Sequence, residues 1–149
     1  MIQRIQTLFL LLAVLITSSI VLMPVIHLIS FDYKDVFVYI THIPLVPKAT
    51  LIISILLFCV AVLLSLVAVF MFKKRRLQIK ISYFSIVFQL AWVILNFIIG
   101  QNIGKLIKAE MITYKIGMFL PIASIILIYL AIRNIKKDDD LVKSVDRIR

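Results

Sequence analysis

Residues 49–76 read ATLIISILLFCVAVLLSLVAVFMFKKRR. From Ala49 to Phe72 no side chain carries a formal charge, and the next four residues are Lys73, Lys74, Arg75 and Arg76. A helix of about 20 residues crosses a hydrocarbon core of ~30 Å, so this run is long enough to span a bilayer. The apolar residues are continuous rather than alternating, which makes a barrel strand a poor reading. A block of cations at the end of a span holds that end on the cytoplasmic side.

Three further runs share this character. They cover about residues 8–29 (LFLLLAVLITSSIVLMPVIHLI), 81–99 (ISYFSIVFQLAWVILNFII) and 116–132 (IGMFLPIASIILIYLAI), and none contains Asp, Glu, Lys or Arg. The first matches the bilayer in length, the third is just sufficient, and the fourth is short. Residues Met111–Tyr114 can lengthen the fourth if Lys115 snorkels to the headgroups. Pro24 is expected to kink the last turns of the first helix, and Pro121 to sit in the opening turns of the fourth, where the missing N–H matters least. The first run exceeds the 7–15 residues of a signal-peptide core and no A-x-A site follows, so it is read as retained. The expected fold is all-α: one domain over 1–149, a polytopic membrane protein of four transmembrane helices (8–29, 49–72, 81–99, 116–132) in an antiparallel bundle, with a tail over 133–149.

Composition agrees. Of the 149 residues 63% are hydrophobic and the mean hydropathy is +1.13, against about 45–50% apolar in soluble domains. So small a chain has too little interior to hide that much apolar side chain. The net charge of +10 invites a nucleic-acid reading, but the cations lie in the loops and ends. On one side fall Arg4, then Lys73, Lys74, Arg75, Arg76 and Lys80, then Arg133, Lys136, Lys137, Lys143, Arg147 and Arg149. These are twelve of the 17 basic residues; Lys34, Lys48, Lys105, Lys108 and Lys115 fall on the other. The bias predicts both termini in the cytoplasm and no nucleic-acid partner.

The sequence excludes more chemistry than it suggests. The single cysteine, Cys59, precludes an intrachain disulfide or a dithiol redox site. Three glycines form no phosphate loop, and no Ser-His-Asp or metal-ligand spacing is evident. His27 and His42 are poorly placed for bis-histidine haem. No carboxylate lies at mid-membrane, which disfavours proton-coupled antiport. Catalytic residues, cofactor and metal are therefore all expected to be none, and the chain is not read as an enzyme.

One polar pattern stands out. Ser85, Gln89, Trp92 and Asn96 recur at i, i+4, i+7 and i+11, on one face of the third helix, with Ser82 and Gly100 extending it loosely. Such a stripe either glues helices together or lines a path for a small ligand or water. Candidate partners are Thr17, Ser18 and Ser19 on the first helix, and Ser54, Cys59 and Ser65 on the second. Loop residues Val36, Val38 and Ile40 alternate with Phe37, Tyr39 and Thr41, which suits a strand or an interfacial aromatic belt. Ile103, Leu106, Ile107 and Met111 share a face that suits a short interfacial helix. The tail DDDLVKSVDRIR has a weak stripe of Leu141, Val145 and Ile148 behind the helix-starting Asp138, Asp139 and Asp140. It is either a solvated tail or a docking segment for a partner.

The opening MIQRIQTLFLLLA and the closing AIRNIKKDDDLVKSVDRIR resemble an uncharacterised family of small four-helix inner-membrane proteins of Bacteroidota, a domain of unknown function. The resemblance covers the whole chain; IQRIQ and an RSVDRIR-like end are its distinctive parts, with Lys143 standing here where arginine is equally at home. It implies a four-span bacterial inner-membrane protein and transfers no catalytic or binding residue. The reading that follows is a non-enzymatic structural or accessory membrane protein, acting in the lipid bilayer through a protein partner or as a homo-oligomer. The alternative is a small channel or transporter component with a polar path along helix three.

Overall fold

A computed structural model describes the backbone of residues 2–30, 35–42, 45–72 and 74–146, with side chains described from residue 5 to residue 139 of these. The chain runs α1 (Ile2–Ser19), β1 (Ile26–Ile29), β2 (Val36–Val38), α2 (Lys48–Phe70), α3 (Arg75–Leu106), β3 (Met111–Tyr114) and α4 (Ile116–Asp146). Among the described residues four helices are long and apolar enough to cross a membrane. The fold is mostly helical, but the three strands form a sheet of order β2-β1-β3, so the all-α expectation needs correction.

The first helix explains the correction. It does not run on to residue 29 with a kink at Pro24; it stops at Ser19, and a tight turn follows over Ile20–Leu22. Met23 is extended, with φ −108° and ψ 141°, as expected because the proline ring disfavours helical backbone in the residue before it. The next residues, Ile26–Ile29, then become the central strand. Both neighbours pair antiparallel with it: His27 lies opposite Phe37 on β2 and Thr113 on β3. The alternating 36–41 stretch thus supplies β2 over Val36–Val38, with Tyr39 bridging to His42.

The second loop differs for a related reason. Helix α3 extends through Ile103 to Leu106 and is ended by Lys108 at φ 46°. Met111–Tyr114 is therefore neither the end of an interfacial helix nor an extension of the fourth helix. It is the edge strand that satisfies the free side of β1, joined at its start by Glu110 N–H donating to the Ile29 carbonyl over 3.0 Å. Ile103 and Ile107 are buried, whereas Leu106 and Met111 are exposed. The sheet packs its Ile26, Leu28 and Val38 side chains onto Ile99 and Ile103 of α3 and Ile107 just beyond it. Gly100 and Gly104 permit this approach. A Cβ on Gly100 would lie 2.9 Å from Ile26 Cδ1, and one on Gly104 2.5 Å from Ile112 Cδ1.

At the opposite end the helices outrun the apolar segments. Helix α3 begins at Arg75 rather than residue 81, and α4 continues to Asp146 rather than ending at 132. Charged side chains are no obstacle to a helix once it leaves the lipid. At 1.5 Å per residue the 32 residues of α3 span about 48 Å, more than the ~30 Å core. Hydrogen bonds fix the pairing directions. Gln78, Ser85 and Asn96 of α3 meet Ala68, Ser65 and Ser54 of α2 in turn, so numbers rise on one helix as they fall on the other. Gln6 and Thr17 of α1 meet Asp138 and Ser124 of α4 in the same opposed sense.

The distribution of side chains is inverted relative to a water-soluble bundle. On α3, Gln78, Ser82, Ser85, Gln89 and Asn96 are at most 3% exposed, while Phe84, Val87 and Ile94 are about 60% exposed. Water would drive the opposite arrangement.

Candidate functional site

The inward face of α3 repeats every three to four residues: Gln78, Ser82, Ser85, Gln89, Trp92, Asn96. Ser85, Gln89, Trp92 and Asn96 thus sit on one buried face. Its hydrogen bonds run mainly to α2. The Ser65 and Ser85 hydroxyls are 2.6 Å apart, and each also reaches the Ala61 carbonyl, at 3.0 and 3.2 Å. Asn96 Nδ2 donates to Ser54 Oγ at 3.3 Å and to the Trp92 carbonyl at 2.9 Å. Gln78 Nε2 donates to the Ala68 carbonyl at 2.9 Å. In a medium without water, such bonds are worth holding because the alternative is an unsatisfied polar group.

Of the other expected partners, Thr17 turns toward α4. Its hydroxyl lies 2.8 Å from that of Ser124 and donates to the Ala13 carbonyl at 2.7 Å. Ser19 bonds the Ile16 carbonyl of its own helix, and Ser18 and Cys59 are exposed. Gln78 and Ser124 escaped sequence reasoning, Gln78 because it lies outside the charge-free run and Ser124 because a lone serine in an apolar run has no pattern.

Where the four helices converge, Thr17, Ile20, Phe58, Ala61, Gln89, Trp92 and Pro121 line a crevice too narrow to seat a whole water molecule. Phe58 and Trp92 meet there in a tilted pair, with ring centroids 5.8 Å apart. Among the described residues Gln89 Oε1 and Trp92 Nε1, both buried, make no hydrogen bond. The amide's orientation follows from its neighbours. Ser65 and Ser85 have one hydrogen each, and their mutual bond and the Ala61 carbonyl take both. Ser85 Oγ is left to accept from Gln89 Nε2 at 3.3 Å, which points Oε1 away. Gln89 Oε1 and Trp92 Nε1 are thus an unpaired acceptor and an unpaired donor inside the bundle, while the accessible wall of the crevice is apolar and no charged group lines it.

A second polar contact ties the charged end together. Gln6 Nε2 donates to Asp138 Oδ2, both residues being buried, and Arg75 Nη1 donates to the Asp138 carbonyl at 3.4 Å. Beside it Lys136 Nζ donates to the Tyr83 hydroxyl at 3.0 Å and stands 5.3 Å from that ring. Asp138 is therefore part of the bundle rather than the start of a separate tail helix. The backbone of Leu141 and Val145 continues α4; their side chains, and all of Ile148, lie outside the described residues.

The histidines stand at the sheet end. His27 stacks on Phe37, centroids 4.3 Å apart, and its Nε2 lies 3.4 Å from Asp35 Oδ1. His42 is exposed. Among the described residues no three His, Cys, Asp or Glu side chains group as a metal site would require.

No curated protein and no solved structure matches the chain. A family described as a domain of unknown function, DUF4293, matches residues 2–148. With that match extending over nearly all of its length, the chain belongs to the DUF4293 family.

Proposed function

We propose that this chain is a non-enzymatic structural or accessory protein of a bacterial inner membrane. It crosses the bilayer four times as an antiparallel bundle, with both termini in the cytoplasm, and acts through a protein partner or a second copy of itself. The observation that carries the reading is the use made of the polar face of α3. Gln78, Ser85 and Asn96 are committed to α2, so the stripe acts as the bundle's internal fastening. The orientation rests on the cations: Lys74, Arg75, Arg76, Lys80, Arg133, Lys136 and Lys137 stand at the Gln6–Asp138 end, opposite the sheet. The Leu141, Val145, Ile148 segment is the proposed contact with a partner.

The test is affinity purification in mild detergent of the full chain and of a chain ending at Asp140, which keeps the Gln6–Asp138 contact. The full chain should retain a stoichiometric partner, another protein or a second copy, that the shortened chain loses. Monomer alone in both preparations would contradict the reading.

A second reading, a small channel or transporter component, is favoured by the unpartnered polar atoms of Gln89 and Trp92 inside the bundle. Replacing Gln89 and Asn96 together by Leu should abolish flux if they line a path. It should chiefly alter thermal stability if they fasten helices.

A further inference from the structure

We propose that the flank where α3 and α4 meet at the cation-rich end binds the phosphate of an anionic phospholipid. Arg76, Lys80 and Tyr83 recur at i, i+4 and i+7 along one side of α3, and Tyr129, Arg133 and Lys136 recur likewise along α4. All six side chains are exposed. Lys136 Nζ donates to the Tyr83 hydroxyl at 3.0 Å and stands 5.3 Å from that ring's centroid, which joins the two sides into one surface. The cations of both helices lie at one level there, since Arg75 Nη1 also reaches the Asp138 carbonyl.

Charge and order along this surface both match a lipid. No acidic residue occurs on α3, and those of α4 begin at Asp138, which is itself buried against Gln6. Each Lys or Arg near an anionic membrane surface adds to the attraction, and basic surfaces between helices suit lipid headgroups. The Tyr83 oxygen accepts from Lys136, so its own hydrogen is left to donate to a phosphate oxygen. One turn beyond Tyr83, Val87 is exposed, and so is Ile122 two turns before Tyr129. The surface therefore passes from apolar wall for acyl chains, through two tyrosines at headgroup depth, to cations at the phosphate. Helix α4 reaches this end with its C-terminus, so its side chains lean back toward the apolar belt. That carries the Lys136 ammonium to the level of Tyr83, where a lipid phosphate meets it better than a water-borne anion. The inference rests on the membrane reading above, and not on which side of the bilayer this end faces.

The experiment is native mass spectrometry of the full chain in mild detergent, incubated with equal amounts of phosphatidylglycerol and phosphatidylcholine carrying the same acyl chains. Both lipids have a phosphate, and they differ in net charge. Phosphatidylglycerol should be retained about ten-fold or more over phosphatidylcholine, and the preference should shrink as salt is raised. Lys80→Gln combined with Lys136→Gln should reduce the preference several-fold. Lys48→Gln combined with Lys105→Gln removes the same charge from exposed positions at the sheet end and should leave it unchanged. Excess inorganic phosphate should not displace the bound lipid. The lipid contrast and its salt dependence are measured on the unaltered chain, so they stand even if a variant fails to fold. Equal retention of the two lipids, equal losses in the two double variants, or displacement by inorganic phosphate overturns the proposal. A chain that stays in solution without detergent would sink the membrane reading, and this inference with it. Equal retention by a chain that needs detergent sinks this inference alone.

Discussion

The hydroxyls of Ser65 and Ser85 lie 2.6 Å apart in the α2–α3 seam and share the carbonyl of Ala61. Ser65→Ala leaves Ser85 a partner in that carbonyl and should cost little, whereas Ser85→Ala also removes the acceptor of Gln89 Nε2 and should cost more. A double-mutant cycle in detergent should give a coupling of about 0.6 kcal/mol, with ~1.7 kcal/mol as the upper range for such pairs in a membrane bundle. Zero coupling would show that the seam is held by packing alone.

The three glycines differ in what a methyl group would meet. At Gly117 a Cβ would lie 2.7 Å from the Pro24 carbonyl oxygen and 3.3 Å from that of Met23, both backbone atoms. At Gly104 and Gly100 it would meet the ends of the Ile112 and Ile26 side chains, which can rotate. Gly117→Ala should therefore be the most damaging, at about 1–3 kcal/mol as for an overpacked core. Gly104→Ala should follow and Gly100→Ala should be mildest. Thermal unfolding of the three variants in one detergent checks the order.

Asp138 accepts from Gln6 across the α1–α4 contact while buried. Gln6→Leu removes the donor and leaves the carboxyl without it, which should cost about 1–3 kcal/mol. Asp138→Asn keeps an acceptor for Gln6 and should cost less than Asp138→Leu. If all three variants melt together with the unaltered protein, the contact contributes nothing to the bundle.

The parts of this fold legible in the sequence are those where lipid leaves one solution. A charge-free apolar run must satisfy its own backbone, so the body of each helix follows from composition alone. The spacing of Ser85, Gln89, Trp92 and Asn96 was legible for the same reason, since amides avoid the lipid face. The sheet was not. Val25–Ile29 is as apolar as the helix before it, and what makes it a strand is pairing with Val36–Val38 and Met111–Tyr114, one neighbour more than eighty residues away. Pro24 was the available local signal: it marks a helix end as readily as a kink. Gly100 and Gly104, four residues apart, are the local signal of a close approach; what approaches is the sheet. The extra turns at Arg75–Lys80 and Arg133–Lys137, which join the tail's helix to the fourth, escaped because hydropathy marks where lipid stops, not where a helix does.

The proposed function depends on four apolar helices crossing a bilayer with the cation-rich end inside. Single cysteines placed in a Cys59→Ala background, at exposed positions of each end, test it most directly with a membrane-impermeant maleimide on spheroplasts. Asp35→Cys and Lys105→Cys should be labelled on intact spheroplasts, and Arg76→Cys and Lys137→Cys only after lysis. Labelling of Arg76→Cys or Lys137→Cys from outside, or equal labelling of all four before lysis, would contradict it.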